Sequence, residues 1–300
     1  MSETYYKFST YFKNKGFKHR VRKITVDAGF SCPNRDGKIS DNGCIYCNNE
    51  GFSPNTRKSF ASIEEQITQG IKRADAKKFI VYFQAYTNTY APLDKLKRIY
   101  DITKKFEDVI GISIATRPDC VNKDVIDLIA SYTKDYEVWI EYGLQSIHKK
   151  TLELINRGHL YEDFLKAVDL TRKKKDIKIC AHAIIGLPLE DEGMIMETAR
   201  SIASLKLDGI KIHPLHIIKG TKLEKFYKTG SVKVLELEEY VDLAVKFLEY
   251  LWPGTVIQRI SADCPRDLLV APLWISEKSK VLRGIEQKNI LQGRLYKEAT

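Results

Sequence analysis

Short apolar runs alternate along this chain with longer segments of helical periodicity, and this alternation constrains the fold more than any other feature. Six such runs end near Gly29, Gln84, Thr116, Gly143, Gly186 and Ile217. Repeated strand and helix units of this kind form a parallel sheet with helices packed against it. The sequence therefore predicts an α/β fold, specifically a partial (β/α)6 barrel.

The segments between and beyond these strands predict how the chain is divided. Helical patterns cover residues 63–73, 93–106, 124–132, 149–174 and 194–205. After the sixth strand come a helical pattern over 235–251, a possible extra strand in TVIQRIS and a last helix around 278–287. We expect residues 1–220 to form the barrel with a basic N-terminal segment, and residues 221–300 to form an extension that covers the barrel's open side.

The charge of the chain indicates an anionic partner without naming it. Lysine and arginine total 49 against 39 aspartates and glutamates, which gives a net charge of +10. Nucleic acid and a phosphorylated metabolite both fit this excess. Within residues 1–60, basic and aromatic side chains are interleaved, so this segment could hold phosphates and stack bases. Alternatively, its aromatic side chains pack on the domain.

The sequence predicts a cytoplasmic protein with no membrane segment. No apolar run approaches the roughly 18 to 20 residues of a membrane span, and the start MSETYYKFST lacks the hydrophobic region of a signal peptide. In a reducing compartment, the six cysteines are expected to act as ligands or buried thiols rather than as disulfides.

Three of these cysteines lie close together in a glycine-containing loop directly after the first strand. Cys32, Cys44 and Cys47 have the spacing C-x11-C-x2-C. Three thiolates can ligate three irons of a [4Fe-4S] cluster and leave the fourth iron open. A closed zinc site with His19 as fourth ligand is the alternative. Three unligated thiols would have no packing reason to share such a loop, and Cys120, Cys180 and Cys264 are expected to be incidental thiols.

Polar residues also follow the other strands, where ligands bind in parallel α/β folds. Glu141 and Gln145 share one face of the fourth strand by the two-residue period, and a polar cofactor could satisfy them. His213 and His216 lie on the predicted sixth strand, and we expect only one of them to face the barrel lumen.

Five motifs together carry a family resemblance that extends from about Tyr11 to Gly293. They are CPNRDG with NGC-x2-C, YFQAYTNTYAP, TRPDC, GLQS with INRGH, and IIGLPLE, each placed after one of the first five strands. The chain ends with a similar PLW and QG pattern. In these features it resembles the radical S-adenosylmethionine (radical SAM) superfamily, specifically the YhcC-like branch related to the catalytic half of the Elongator subunit.

The resemblance implies a [4Fe-4S] cluster on Cys32, Cys44 and Cys47, with S-adenosylmethionine bound at its open iron. Among the implied cofactor residues, Arg157, expected on the helix after the fourth strand, would clamp the carboxylate, Gln84 would lie near the methionine amine and His182 near the ribose. The backbone around Leu187 would approach the adenine. The full implied cofactor set is Tyr46, Gln84, Thr116, Glu141, Gln145, Arg157, His182 and Leu187.

The resemblance also implies a reaction: reductive cleavage of S-adenosylmethionine gives a 5′-deoxyadenosyl radical that abstracts hydrogen from the substrate. An electron donor such as flavodoxin or ferredoxin would be required. Since relatives act on modified bases, we expect a lyase of free queuine in queuosine salvage, with Asp263, His213 and His216 as substrate contacts and Asp263 as a buried carboxylate. Modification of the tRNA wobble-uridine side chain is the alternative, and a zinc-containing RNA-binding protein is a distant one.

Overall fold

Seven parallel strands form one curled sheet in the computed structural model, which describes residues 3–53, 55–57 and 62–293. The order across the sheet is β1-β2-β3-β4-β5-β6-β8, so each of the first six strands lies beside its predecessor in the chain. The strands are β1 (Val21–Val26), β2 (Lys78–Phe83), β3 (Val109–Thr116), β4 (Glu137–Gln145), β5 (Ile177–Ile185), β6 (Gly209–Pro214) and β8 (Val256–Arg259). The prediction of an α/β partial barrel is confirmed.

Helices follow the strands and bury an apolar face against them. They are α1 (Phe8–Asn14), α2 (Asn49–Phe52), α3 (Ile63–Arg73), α4 (Leu93–Asp101), α5 (Lys123–Ser131), α6 (Lys149–Leu154), α7 (Tyr161–Arg172), α8 (Glu192–Ser204), α9 (Lys222–Lys228), α10 (Leu237–Tyr250) and α11 (Lys278–Leu291). The helical pattern predicted over 149–174 is thus two helices, with a loop between them.

Local sequence explains where α3 begins. The Ser62 side chain accepts a hydrogen bond from the Glu65 backbone amide, and the Glu65 carboxylate accepts one from the Ser62 amide. This capping box satisfies backbone donors that a helix start leaves free. One turn later, Ile67 is fully buried in the core beside Ile24 of β1. The helix is therefore held against the first strand of the sheet.

The basic N-terminal segment packs under the barrel, at the amino ends of the strands. The rings of Phe8 and Tyr11 lie 6.0 and 5.6 Å from the ring of Trp139. Tyr11 and Lys15 both bond to Glu137, the first residue of β4. The aromatic side chains of this segment therefore serve packing, as the alternative interpretation of the sequence stated.

The extension after β6 contributes to the sheet as well as covering it. The predicted extra strand is β8, which pairs in parallel with β6. The sixth predicted strand ends at Pro214 rather than near Ile217, and a separate β7 (Ile217–Ile218) pairs antiparallel with β9 (Leu269–Ala271). Helix α10 packs on α8 and α11. Residues 294–300 of the predicted extension lie outside the described residues.

Within the described ranges, the structure contains no helix that is both long enough and apolar enough to cross a membrane.

Candidate functional site

One cavity of about 220 Å³ opens at the carboxyl ends of the strands. Its walls come from the cysteine loop, from the ends of β2 to β6, and from Arg259, Ala262 and Asp263 in the C-terminal extension. Of the residues singled out in the sequence, the cavity lining includes Cys32, Cys44, Tyr46, Cys47, Gln84, Thr116, Glu141, Gln145, Arg157, His182, His213, His216 and Asp263.

The three clustered cysteines all line this cavity. The loop folds back on itself through a hydrogen bond from the Cys47 amide to the Cys44 carbonyl at 2.9 Å. Burial, followed by the neighbouring Cys44 sulfur, raises the pKa of the Cys47 thiol to about 12. Without a bound cation, the Cys47 sulfur is therefore costly to ionise, and iron would supply the positive charge that stabilises it as a thiolate.

Donors directed at sulfur indicate that the loop fits an iron–sulfur cluster. The Asn34 Nδ2 and Arg157 Nη1 atoms each lie 3.6 Å from the Sγ atom of Cys44. Hydrogen bonds to cluster sulfurs are a recurring feature of such sites. The donor set of three thiols beside a buried guanidinium thus suits a cluster with one iron free of protein ligands.

The zinc alternative depended on His19, and the structure separates His19 from the thiols. His19 is exposed and precedes β1, at the amino end of the barrel, whereas the cysteine loop follows the carboxyl end of the same strand. The prediction of a Cys3His zinc site that uses His19 is therefore wrong.

Arg157 is buried in the loop between α6 and α7, not on a helix as predicted. Its Nε and Nη2 atoms donate to the Gly143 carbonyl oxygen at 3.2 and 2.6 Å. Burial opposes its charge, but the neighbouring Cys44 and Tyr46 outweigh this and raise the pKa of Arg157 above its ordinary value. The side chain is a fixed cation beside the cysteine loop.

Residues that end β2 and β3 form another part of the wall. The Gln84 Nε2 atom donates to the Phe52 carbonyl at 2.8 Å, and the Thr116 hydroxyl lies 2.6 Å from that of Thr89. The Nε and Nη2 atoms of Arg117 donate to the two carboxylate oxygens of Asp119, at 2.9 and 2.7 Å. The Arg117 guanidinium is therefore paired with a carboxylate of the protein.

The centre of the barrel contains a buried ionic network that sequence reasoning missed. Glu141 is fully buried, and its carboxylate lies 2.5 Å from the Nζ atoms of both Lys23 and Lys211. It also accepts from Ser113 and lies 2.7 Å from His182 Nε2. Lys211 in GIKIH was the available signal, because it is a buried lysine between isoleucines, whereas Lys23 stands beside Arg22 in β1 and gave no such signal.

These contacts change how Glu141 is understood. Burial raises the pKa of Glu141, but the charges of Lys211 and Lys23 and the His182 contact outweigh it and hold the pKa well below its usual range. The sequence assigned the partners of Glu141 to a polar cofactor, but Lys23, Lys211 and His182 of the protein already satisfy it. Its contact with the cofactor stays a prediction.

The pKa values of Lys211 and His182, two of the three basic groups that contact Glu141, are lowered as well, which favours their neutral forms. Burial lowers the pKa of Lys211 to about 7, because one carboxylate cannot offset two lysines in a dry site. Burial likewise lowers the pKa of His182 to about 4, so that its ring is neutral at neutral pH. Further along β4, the pairing with β5 shifts in register between Gly143 and Gln145, but Glu141 and Gln145 both line the cavity, as the two-residue period predicts.

Two of the predicted residues are placed differently from the expectation. The Leu187 side chain packs in a cluster with Ile45 and Leu215 and is not among the described cavity-lining residues, so only a backbone role remains predicted for it. Asp263 lines the cavity, but its side chain is 53% exposed and pairs with Lys278 and Arg259 at 3.1 and 3.5 Å. The expectation that the Asp263 carboxylate is buried is therefore wrong, because Asp263 lies on a surface loop.

Both candidate histidines, His213 in β6 and His216 shortly after it, line the cavity, so the expectation that only one does is wrong. The strand ends at Pro214, and the two-residue alternation does not extend beyond it. The His213 ring packs edge-on against the His182 ring, with centroids 5.7 Å apart. His216 is buried, and its ring packs edge-on against Phe52 at 5.6 Å.

Comparisons with known proteins agree with this arrangement. The Radical SAM superfamily pattern matches residues 37–202, and the Radical_SAM C-terminal domain pattern matches residues 207–289. The chain is 39% identical to the Bacillus subtilis (strain 168) protein YtqA, over 98% of this chain and 94% of YtqA. It is 31% identical to the tRNA uridine(34) acetyltransferase of Methanocaldococcus jannaschii, over 54% of this chain but only 30% of that protein.

Among solved structures, the archaeal Methanocaldococcus infernus Elp3 has a similar fold. The TM-score is 0.64 at 21% identity, covering 89% of this chain and 63% of that one. Members of the family use a [4Fe-4S] cluster and S-adenosylmethionine, as the prediction stated. The superfamily pattern spans more than half of the 300 residues, and the chain belongs to the radical SAM superfamily of enzymes.

Proposed function

We propose that this enzyme holds its cluster through Cys32, Cys44 and Cys47 and uses S-adenosylmethionine to cleave or remodel a modified nucleobase. The supporting observation is that these three thiols share one cavity with Arg157 and with polar residues from the ends of successive strands. When bound, the cluster and S-adenosylmethionine supply the radical chemistry that removes hydrogen from carbon. A donor such as flavodoxin or ferredoxin provides the electron.

The chain's own residues bind and orient in this proposal. Arg157, held beside Cys44, offers donors to the cofactor carboxylate. Gln84 and Gln145 offer amide groups to the methionine end, and Tyr46 shields the cluster. His182 donates from Nε2 to Glu141, so its Nδ1 atom is left as an acceptor for a ribose hydroxyl. The Lys23–Glu141–Lys211 network fixes the strand ends that carry these groups.

Free queuine is the first substrate candidate. The extension supplies Arg259, Ala262 and Asp263 to the cavity wall and so narrows a cavity of about 220 Å³ to a size suited to a small base. The half-exposed, paired Asp263 weakens its assignment as the group that reads a guanine-like edge. Cleavage of queuine would make the enzyme a lyase of queuosine salvage.

A base within tRNA is the second candidate, and a specific comparison favours it. A relative that shares 31% identity over 54% of this chain is named for uridine 34 of tRNA. Remodelling of the wobble-uridine side chain would use the same cavity, with the nucleotide inserted into it.

Mass spectrometry of reaction products tests both candidates. The anaerobic, cluster-loaded and chemically reduced enzyme is incubated with S-adenosylmethionine and either free queuine or tRNA lacking mature wobble-uridine modifications. Cleavage of queuine supports the first candidate, and a mass change at the wobble nucleotide supports the second. If the loaded enzyme alters neither, the nucleobase proposal is overturned.

A further inference from the structure

The His216 ring is fixed in one orientation in the connection between β6 and β7. Its Nδ1 atom lies 3.1 Å from the Pro214 carbonyl oxygen, and its ring packs edge-on against Phe52. A carbonyl oxygen only accepts hydrogen bonds, so Nδ1 carries the ring proton. The other ring nitrogen, Nε2, then presents a lone pair.

That Nε2 atom has no hydrogen-bond partner among the residues the structure describes, although the side chain is only 6% exposed. Burial holds the pKa of His216 below its ordinary value, which keeps the ring neutral. Buried polar atoms are nearly always paired in folded proteins, and an unpaired one calls for an explanation. The atom is an acceptor that needs a donor.

The position of His216 indicates where that donor comes from. The residue lines the cavity together with Arg259 and Asp263, whose charges act on its ring. Those two residues follow β6 and belong to the C-terminal extension, whereas the thiols and Arg157 form the wall at the cysteine loop. His216 thus lies on the wall beside the C-terminal extension, and through Phe52 it also adjoins the end of the cysteine loop.

We propose that His216 selects the substrate by accepting, at Nε2, a hydrogen bond from an N–H or O–H group of the substrate base. This inference rests on the proposed nucleobase function and adds the hydrogen-bonding character of the base. A base with a ring imide, an exocyclic amine or a hydroxyl satisfies the acceptor. An analogue without that donor leaves it buried and unpaired.

The test compares three variants of the cluster-loaded protein under anaerobic, unreduced conditions. His216→Phe keeps a ring against Phe52 but removes the acceptor, His216→Gln can return one, and His19→Phe alters an exposed histidine at the amino end of the barrel. Equilibrium binding is measured for free queuine, for tRNA and for S-adenosylmethionine. Iron content and circular dichroism establish that each variant is loaded and folded.

We expect His216→Phe to weaken binding of the base about tenfold or more, with S-adenosylmethionine affinity changed less than about twofold. His216→Gln should recover part of the loss, and His19→Phe should resemble wild type. In wild-type protein, the unprotonated Nε2 nitrogen-15 resonance of His216 should move on substrate binding, a readout that holds even if His216→Phe does not fold.

Different results overturn different claims. If His216→Phe weakens the binding of S-adenosylmethionine and of the base equally, Nε2 contacts the cofactor rather than the base. If the nitrogen-15 resonance does not move and the affinity for the base is unchanged, His216 has no role in recognition. Wild-type protein that binds neither queuine nor tRNA would overturn the proposed function and this inference together.

Discussion

Arg157 donates two hydrogen bonds to the carbonyl oxygen of Gly143, and the missing side chain of that glycine makes room for the guanidinium. A Cβ atom at position 143 would lie 2.6 Å from the Nη2 atom of Arg157. The same guanidinium reaches the Cys44 sulfur at 3.6 Å. The strand β4 and the cysteine loop are therefore connected through one buried cation.

Gly143→Ala should displace Arg157 and weaken S-adenosylmethionine binding about tenfold or more, because a fixed guanidinium can no longer offer paired donors to the carboxylate. Arg157→Ala should have a similar effect. Binding is measured on cluster-loaded protein, with Gly193→Ala, at the start of α8, as the matched glycine control. Unchanged affinity in Arg157→Ala would show that the carboxylate clamp is wrong.

Cys47→Ala should abolish cluster assembly, since a three-thiolate site cannot lose a ligand and hold the cube. Cys264→Ser is the matched control, because Cys264 is a part-buried thiol outside the described cavity lining. Iron and sulfide analysis after anaerobic reconstitution should give about four irons per chain in the control. A full cluster in Cys47→Ala would require a different ligand set.

Glu141→Gln should lower the free energy of unfolding by about 3 kcal/mol or more, because it removes the buried carboxylate that Lys23, Lys211 and His182 contact. Glu192→Gln removes an exposed ion pair with Lys246 and should lower the free energy of unfolding by less than about 1 kcal/mol. Urea denaturation of the two variants compares the buried with the exposed site. Equal losses would mean that the lumen network contributes nothing beyond a surface pair.

Lys211 should make stability depend on pH. Its pKa is about 7 in the fold against 10.5 ordinarily, so between these values the unfolded chain binds a proton that the folded chain lacks. The free energy of unfolding should therefore rise with pH across this window. Lys211→Met should reduce that rise, measured by urea denaturation at pH 7 and pH 9. The same rise in both proteins would contradict the assignment.

The strands and the cysteine loop could be predicted because their signals are local. Short apolar runs define β1 to β5 closely, and the spacing of Cys32, Cys44 and Cys47 identifies the loop. By contrast, the meeting of Lys23 with Lys211 depends on the curl of a sheet that brings β1 and β6 to one carboxylate. No sequence pattern within β1 or β6 indicates that these two lysines lie at the same carboxylate.

The residues after the strands were less predictable because loops have no fixed period. His213 and His216 both reach the cavity since the chain leaves the sheet at Pro214. Asp263 forms surface ion pairs because its loop connects β8 to β9 at the edge of the extension. Residue type alone indicated that these side chains are polar, but not which atoms face the substrate.

Transfer of deuterium from the substrate to the cofactor tests the central claim most directly. The loaded, reduced enzyme is given S-adenosylmethionine and a base, free or in tRNA, that carries deuterium at the reacting side chain. We predict that deuterium appears in 5′-deoxyadenosine or in regenerated S-adenosylmethionine with wild-type protein, and not with Cys47→Ala. An altered base with no deuterium in either molecule, or no alteration of either base by the loaded enzyme, would contradict the account.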